Sequence, residues 1–194
     1  DIAFMRALPN ITILSPADCV EVIKCMQAAA KTKDPTYIRL TGPVTTPIIY
    51  KEDYDFEIGK AITLRNGSDV CIFATGSMVS NALKVAEILE EKRVSCSVIN
   101  FHTIKPLDKT TIEEVSKKHK LIITVEEHSV YGGFGSSVAE IVSGMNIHAP
   151  LDIIGINDLF VKPGDYQYQI EQSGLSAEQI SNRIIDDLER WDRS

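Results

Sequence analysis

From residue 58 onward, short apolar runs alternate with longer segments in which apolar residues recur every three or four positions. Residues 70–74, 96–101, 121–125 and 151–156 have the length and composition of buried strands, and the segments between most of them have the period of amphipathic helices. Neighbouring parallel strands need crossovers of this length, whereas an antiparallel pair needs only a short turn. The alternation predicts an α/β fold with a mainly parallel sheet and helices on both faces.

One connection departs from this alternation. Residues 61–64 and 70–74 are both strand-like, and only a short polar segment containing Asn66-Gly67 lies between them. Asn-Gly between two apolar runs is a strong signal for a β-hairpin. We therefore predict that these two runs pair antiparallel, which places one antiparallel strand at an edge of the sheet.

The predicted helices after residue 58 cover residues 78–92, 108–119 and 136–145. A last helix opens with Ser176-Ala177-Glu178-Gln179, which has the spacing of a capping box. The apolar stripe of this last helix consists of Ile180, Ile184, Leu188 and Trp191.

Residues 1–40 form a smaller unit. The run Ser15-Pro16-Ala17-Asp18, with serine as N-cap and proline in the first helical position, predicts a helix that ends near Lys33. A strand-like run follows at residues 36–40. One helix and one strand cannot close a sheet, so this partial α/β segment must rest on the larger domain or on a second copy. Residues 41–57, with glycine, prolines and scattered charge, are predicted to be a linker.

The charge and hydropathy of the chain exclude several classes of function. Lys and Arg total 20 against 27 Asp and Glu, which gives a net charge of −7. A chain this acidic is a poor non-specific binder of nucleic acid, because it has no excess cations for phosphates. No apolar run approaches the roughly 20 residues that span a bilayer. We predict a cytoplasmic protein with no membrane or nucleic-acid partner, and the start at Asp1 indicates a piece of a longer protein.

The cysteines and histidines do not have the spacing of a metal or disulfide framework. A chain of this size can bury its own core, so free thiols are the simpler interpretation. No histidine has a second ligand at zinc spacing. These residues are Cys19, Cys25, Cys71, Cys96, His102, His119, His128 and His148.

Two segments carry groups that could perform chemistry. Glu126-Glu127-His128 ends a strand, and Glu126 and His128 can share one side of it, so they are either a proton relay or simply a polar strand end.

The glycine-rich loop at residues 131–137 precedes a helix and could cradle a phosphate. Its glycine order matches no nucleotide motif, and we predict a turn. Thr75-Gly76-Ser77 is similarly interpreted as a helix cap, and the residues alone contain no complete catalytic constellation.

Several motifs, in order along the chain, resemble the transketolase-like thiamine diphosphate enzymes. They span nearly the whole chain, so the resemblance does not depend on one motif. The motifs are residues 7–18, Gly67-Ser68-Asp69-Val70, Ala74-Thr75-Gly76-Ser77, residues 98–108, Thr124-Val125-Glu126-Glu127-His128 and Gly132-Gly133-Phe134-Gly135-Ser136.

Three branches share this layout: transketolase, 1-deoxyxylulose-5-phosphate synthase and the β-subunit of 2-oxo acid dehydrogenases. The run at residues 102–106, together with Glu127-His128, is most similar to the C-terminal subunit of two-component transketolases. Residues 161–164 depart from the usual short Gly/Ser segment, which leaves the branch open.

The resemblance implies a division of the chain and a location for the cofactor. Residues 1–40 would be the incomplete end of the pyrimidine-binding domain, residues 41–57 a linker, and residues 58–194 the transketolase C-terminal domain. The groups that bind thiamine diphosphate and Mg²⁺, including the catalytic glutamate, would belong to other parts of the enzyme. No catalytic, cofactor-binding or metal-binding residue is therefore expected in this fragment.

The resemblance also implies one substrate-binding residue, Arg39. It matches a family arginine, at the end of this strand, that binds substrate phosphate, and a guanidinium can bind phosphate through two parallel N–H···O bonds. The alternative is a surface arginine that caps the strand end.

The implied function is transfer of a two-carbon ketol unit between sugar phosphates in the pentose phosphate part of carbohydrate metabolism. The fragment would support a dimer or other homo-oligomer, need an N-terminal transketolase half or subunit, and be inactive alone. An alternative of another class is a stand-alone interaction module that binds a small anion at Gly132–Ser136.

Overall fold

The structure is a computed structural model that describes residues 1–43 and 45–191. The elements alternate along the chain in a way that places most helices between parallel strands. In chain order they are α1 (Ile2–Ala7), β1 (Thr12–Leu14), α2 (Cys19–Ala29), β2 (Thr36–Ile38), β3 (Ile62–Arg65), β4 (Val70–Ala74), α3 (Met78–Glu91), β5 (Cys96–Asn100), β6 (Thr103–Lys105), α4 (Lys109–Val115), β7 (Leu121–Ser129), α5 (Phe134–Val142), β8 (Leu151–Ile156), α6 (Tyr166–Gln172) and α7 (Ala177–Trp191).

The larger sheet has five strands in the order β3-β5-β4-β7-β8, and all its pairs are parallel except β3–β5. Alternate residues of β4 pack into two hydrophobic cores, one on each face of the sheet, because successive side chains of a strand point to opposite faces. Val70 and Ile72 pack with α3 and α7, whereas Cys71 and Phe73 pack with α4 and α5. The predicted α/β fold, with one antiparallel edge strand and helices on both faces, is confirmed.

The predicted hairpin between β3 and β4 is wrong. β3 pairs with β5, with Ile62 opposite Asn100, so the antiparallel edge strand lies beside a different neighbour. β4 is buried along its whole length and already has a parallel partner on each side. The segment after β3 instead crosses the start of β5, where the Gly67 N–H donates to Ser97 Oγ at 2.7 Å. A Cβ at Gly67 would lie 2.3 Å from the Cys96 carbonyl carbon, so glycine permits this crossing.

The smaller sheet has three strands in the order β2-β1-β6 and joins the two parts of the chain. β1 pairs parallel with β2 and antiparallel with β6, with Ile13 opposite Lys105. β6 belongs to the larger domain, and its three residues were not predicted as a strand. Residues 1–40 were expected to rest on the larger domain or on a second copy, and this pairing shows contact with the larger domain.

The first long helix begins later than predicted. Asp18, not Ser15, is the N-cap of α2, and its side chain accepts the Glu21 N–H at 2.8 Å. Ser15 still belongs to the extended backbone that leaves β1, because its N–H donates to the His102 carbonyl at 2.8 Å. The helix therefore spans Cys19–Ala29 and ends before Lys33.

The capping box of α7 is confirmed. Ser176 N–H donates to Gln179 Oε1, and Gln179 N–H donates to Ser176 Oγ, both at 3.3 Å. Ile180 and Ile184 are buried, whereas Trp191 at the end of the helix is 47% exposed.

The segment between β2 and β3 is held against α2 by polar contacts. Asp18 Oδ2 accepts the N–H groups of Ile49 and Tyr50, at 2.6 and 3.1 Å. The buried Glu21 accepts from the Asn100 amide at 2.9 and 3.0 Å and from the Tyr54 hydroxyl at 3.2 Å. No helix or strand is assigned to the described residues of this segment.

The cysteines are free thiols, as predicted, and Cys25, Cys71 and Cys96 are buried whereas Cys19 is exposed. Within residues 1–43 and 45–191, the helices are too short or too polar for any of them to cross a membrane.

Candidate functional site

The carboxyl ends of β4 and β7 lie side by side in the middle of the larger sheet. The chain leaves β4 toward β5 on one side, whereas β7 and β8 extend the sheet on the other side. In open α/β sheets, ligands bind in the crevice at such a reversal of strand order. Side chains from the smaller unit and from α6 also reach this edge, which makes it the candidate functional site.

Glu127 is the centre of the contacts at this edge. Its Oε2 accepts hydrogen bonds from Ser77 Oγ and, at 2.7 Å, from the Tyr166 hydroxyl. Its backbone carbonyl accepts from Arg39 Nη2 at 2.9 Å. The Thr41 hydroxyl donates to Ser77 Oγ at 3.3 Å. The end of β7 is thereby connected to the start of α3, to α6 and to the segment after β2.

Arg39, the predicted phosphate-binding residue, lies directly after β2, with its guanidinium already bound by the protein. Its Nε donates to Asp1 Oδ1 and Oδ2 at 3.0 and 2.8 Å. The Tyr37 hydroxyl donates to the same carboxylate at 2.8 Å. The Arg39 side chain is 14% exposed, and this burial lowers its pKa, against the opposing effect of Glu127. Arginine stays charged under all ordinary conditions, so the site retains a cation.

Glu126 occupies the N-terminus of α5. Its Oε2 accepts the Phe134 N–H at 2.6 Å and its Oε1 accepts the Gly135 N–H at 2.7 Å. A carboxylate is favoured at this position because the first N–H groups of a helix have no partner within the helix. Burial nevertheless raises the pKa of Glu126 to about 7, against the lowering effect of the two N–H bonds.

The glycines of the loop before α5 allow this close approach of Glu126. A Cβ at Gly133 would lie 2.2 Å from Glu126 Oε2, and one at Gly135 would lie 3.2 Å from Oε1. Gly132 has φ +72°, a conformation that L side chains rarely adopt, so the predicted turn is confirmed. The N–H groups that an external phosphate would need are bound by the protein's own carboxylate.

Glu126 and His128 lie on one side of β7, as the strand period predicts, but they form no direct hydrogen bond. His128 Nδ1 is 3.7 Å from Glu126 Oε2 and 2.8 Å from the Ser129 carbonyl. A carbonyl only accepts, so we assign the ring proton to Nδ1. Burial lowers the pKa of His128, which favours the neutral ring.

Sequence reasoning missed three members of the site. Ser77 was interpreted as a helix cap, although its position directly after a central strand was a usable signal. Tyr166 is separated from Glu127 by 39 residues, and no local pattern indicates that α6 reaches the sheet edge. Asp1, which binds Arg39, also had no sequence signal.

The described residues do not provide a cation-binding ligand set. Among residues 1–43 and 45–191, no group of three or more His, Cys, Asp or Glu side chains is placed to hold a metal ion. The helix N-terminus that follows the glycine-rich loop already binds Glu126. These residues do not fit Mg²⁺ and a diphosphate.

The fold and the site define an open α/β module whose polar edge is joined to the smaller unit of residues 1–40. The family model described as "Transketolase, C-terminal domain" matches residues 59–180. The chain belongs to the transketolase C-terminal domain family.

Curated relatives align over nearly the whole chain. It is 39% identical over 193 residues to a transketolase C-terminal section of Methanocaldococcus jannaschii, covering 98% of this chain and 60% of that protein. It is 36% identical to a 6-deoxy-6-sulfo-D-fructose transketolase subunit of Clostridium sp. strain MSTE9, covering 98% of this chain and 58% of that protein. The chain therefore spans a little over half the length of these relatives.

Solved structures show the same fold. A structure described as "Split gene transketolase, inactive beta4 tetramer" is 34% identical, with a TM-score of 0.87 over 95% of this chain and 59% of that one. The transketolase of Campylobacter jejuni is 22% identical, with a TM-score of 0.69 over 95% of this chain and 27% of that one. At this lower identity the likeness concerns the fold alone.

Proposed function

We propose that this chain is the C-terminal part of a thiamine-diphosphate-dependent transketolase, which transfers a two-carbon ketol unit between sugar phosphates. The observation that carries the proposal is the TM-score of 0.87, at 34% identity, to a split-gene transketolase. The 39% identity to a transketolase C-terminal section supports it. Thiamine diphosphate, when bound, supplies the carbanion chemistry, and the protein supplies orientation and electrostatics.

The proposed role of this chain is structural support for an active site completed by an N-terminal transketolase subunit. The described residues lack a cation-binding ligand set, so the cofactor and Mg²⁺ would bind elsewhere in the assembly. β2 pairs only with β1 among the described strands, and its other edge is available for strands of the same fold unit. The split-gene relative is described as an inactive beta4 tetramer, which supports our proposal that this chain self-associates but is inactive alone.

The division of the chain follows the same proposal. Residues 1–40 would complete a pyrimidine-binding domain, residues 41–57 would link it to the rest, and residues 58–194 would be the C-terminal domain. We propose that the enzyme is located in the cytoplasm and takes part in the pentose phosphate reactions.

Arg39 is the residue we propose to bind the phosphate of the substrate. It retains a charged guanidinium at the junction of the two units, within a cluster of hydroxyl groups. Because Nε is bound to Asp1 and Nη2 to the Glu127 carbonyl, an arriving phosphate would replace the Asp1 carboxylate.

A second candidate from the same enzyme class is 1-deoxy-D-xylulose-5-phosphate synthase. The enzyme from Caldanaerobacter subterraneus is 32% identical over 95% of this chain and 30% of that protein. This identity is lower than the 39% to the transketolase C-terminal section, which favours the transketolase.

The test is reconstitution of this chain with the remaining parts of the enzyme from the same genome, including the rest of the pyrimidine-binding domain. Two-carbon transfer is expected only when both are present, and calorimetric titration of this chain alone with thiamine diphosphate and Mg²⁺ should show no micromolar binding. Turnover by this chain alone would contradict the proposal. Formation of 1-deoxyxylulose 5-phosphate by the reconstituted pair would support the second candidate instead.

A further inference from the structure

Two aspartates face each other where the last helix meets the edge strand of the larger sheet. Asp152 is the second residue of β8, and Asp187 lies in the last two turns of α7. The Asp187 carboxyl is within hydrogen-bonding reach of Asp152. This pair lies near the start of β8, away from the carboxyl ends of the strands that form the candidate site, and the proposed function assigns it no role.

The outer oxygen of each carboxyl is bound by an arginine of α7. Arg183 donates to Asp152 Oδ1 at 2.6 Å, and Arg190 pairs with Asp187 Oδ1 at 3.1 Å. The inner oxygens, Oδ2 of both aspartates, are buried and have no hydrogen-bond donor among the described residues. The Asp187 side chain is only 7% exposed, so solvent reaches it poorly.

Two buried acceptors that face each other without a hydrogen are repulsive, and one proton between them supplies the missing donor. We propose that Asp152 and Asp187 form a proton-sensitive latch: one shared proton holds α7 against β8, and loss of that proton loosens the end of the helix.

The surrounding charges favour a proton over a metal cation. Arg183 and Arg190 flank the pair from α7, and a metal cation would be repelled by both. Asp186 lies on the exposed side of α7. From α3, the helix packed against α7, Lys92 donates to Asn182 at 3.1 Å rather than to the pair. Burial is the largest cause that raises the pKa of Asp187, and the neighbouring Asp152 raises it further.

The raised pKa of Asp187 determines how the stability of the latch changes with pH. A carboxyl with a raised pKa binds a proton more readily in the folded state, so its contribution is fully present at pH values below the ordinary Asp pKa of 3.8. The contribution is lost as the pH rises through the folded-state value. The latch therefore holds at acidic pH and is weakened as the pH rises.

Trp191 provides a test in the wild-type chain. It is the only tryptophan and lies at the end of α7, one turn after Asp187. Quenching of its fluorescence by acrylamide is expected to increase as the pH rises from about 4.5 to 8. In Asp187→Asn the quenching should stay constant with pH, because the amide donates to Asp152 Oδ2 without titrating.

Thermal unfolding of the full chain gives a second readout. At pH 8, Asp187→Asn should unfold about 2–4 °C higher than wild type, a shift typical of one modest interaction in a chain of this size. At pH 4.5 the difference should be smaller. Asp186→Asn removes the same charge from the neighbouring exposed residue and should change the midpoint equally at both pH values.

Three outcomes would overturn the latch. One is a Trp191 quenching profile that is flat in the wild type, a measurement that needs no variant to fold. Another is an equal change in the thermal unfolding midpoint for Asp187→Asn and Asp186→Asn at both pH values. The third is a rise of the wild-type midpoint with Mg²⁺ or Ca²⁺ that Asp187→Asn abolishes, which would identify a cation site.

Discussion

Two buried carboxyl groups of the larger domain have opposite surroundings. Glu126, at the carboxyl end of β7, accepts backbone N–H groups from Phe134 and Gly135. Asp187 on α7 faces Asp152, and its inner oxygen has no donor among the described residues. Burial raises the pKa of both groups. A helix N-terminus thus stabilises the buried Glu126 carboxylate by supplying hydrogen-bond donors. Asp187 and Asp152 have no such donors on their inner oxygens, so in our proposal a shared proton stabilises the pair.

The contacts of Glu126 also explain the glycine-rich loop. A loop that could have cradled an external phosphate is instead closed around an internal carboxylate, and Gly133 and Gly135 provide the space. The helix N-terminus keeps its preference for an anion, but the anion is part of the chain. This arrangement fixes β7 to α5 at the candidate site.

The largest expected effect is that of Glu126→Ala. The substitution leaves two buried N–H groups without an acceptor and opens a cavity, so the free energy of unfolding should fall by about 3 kcal/mol or more. Urea unfolding measures this change. Glu90→Ala is the matched control, because Glu90 is 73% exposed and pairs with Arg65 at the surface, where loss of an ion pair costs about 1 kcal/mol or less. An equal decrease in the free energy of unfolding for the two variants would contradict the stabilising role of Glu126.

The pH dependence of stability provides a finer test of the surroundings of Glu126. The pKa of Glu126 is raised from 4.5 to about 7 in the folded protein. Between these values the folded state binds more protons, so this group's contribution to stability decreases as the pH rises toward 7 and is constant above it. Glu126→Gln has no titrating group at this position, so it lacks this pH-dependent contribution to stability. Urea midpoints at pH 5 and pH 8 should therefore differ more in wild type than in the variant, and parallel profiles would show that Glu126 does not titrate in this range.

A smaller loss is expected for Gly133→Ala. The backbone angles of Gly133, φ −79° and ψ −155°, are open to alanine. The effect therefore comes from contact of the new Cβ with the Glu126 carboxylate and, at 2.6 Å, with His128 Nδ1. We expect a loss of about 1–3 kcal/mol in the free energy of unfolding, the usual range for overpacking. Gly144→Ala is the control, because its Cβ would meet only Ile141 O at 3.5 Å.

Combining Gly133→Ala with Glu126→Ala tests the cause directly. If the added methyl group acts through the Glu126 carboxylate, the two losses in the free energy of unfolding should be less than additive. Strict additivity would show that Gly133 acts independently of Glu126.

The smallest expected effect concerns Arg39 in the reconstituted enzyme. Arg39→Ala should raise KM for a phosphorylated sugar about tenfold, equivalent to ~1.4 kcal/mol for one charge-assisted contact. For the unphosphorylated analogue KM should change much less. Steady-state kinetics with both sugars measure the two KM values. An equal rise of KM for both sugars would show that Arg39 only stabilises the contacts with Asp1 and Glu127 and does not bind the phosphate.

The sequence predicted the sheet better than it predicted the pairing of individual strands. Continuous apolar runs identified β4, β5, β7 and β8, because strands buried on both faces carry apolar residues on both. The Asn66-Gly67 signal was outweighed by tertiary structure, since the central β4 has two parallel partners. Only three residues form β6, which is too short a run to show a period.

The candidate site was only partly predictable. Arg39 was proposed from the family resemblance, and Glu126 and His128 were considered as a proton relay or a polar strand end, whereas the contacts of Ser77, Tyr166 and Asp1 were not predicted. Their contacts join residues far apart in the chain, such as Tyr166 with Glu127. Such contacts leave no local pattern, because they depend on how α6 and the smaller sheet are placed.

Local period, composition and motifs were enough to establish the α/β class, the helices on both faces, the free thiols and the resemblance to transketolases. The pairing of β3 with β5, the joining of the two units by β6 and the placement of Glu126 at the start of α5 became visible in the folded chain alone. The same is true of the meeting of Asp152 and Asp187 without a donor. The physical reason is that burial, desolvation and donor placement depend on which distant groups surround a side chain, and local sequence does not specify those neighbours.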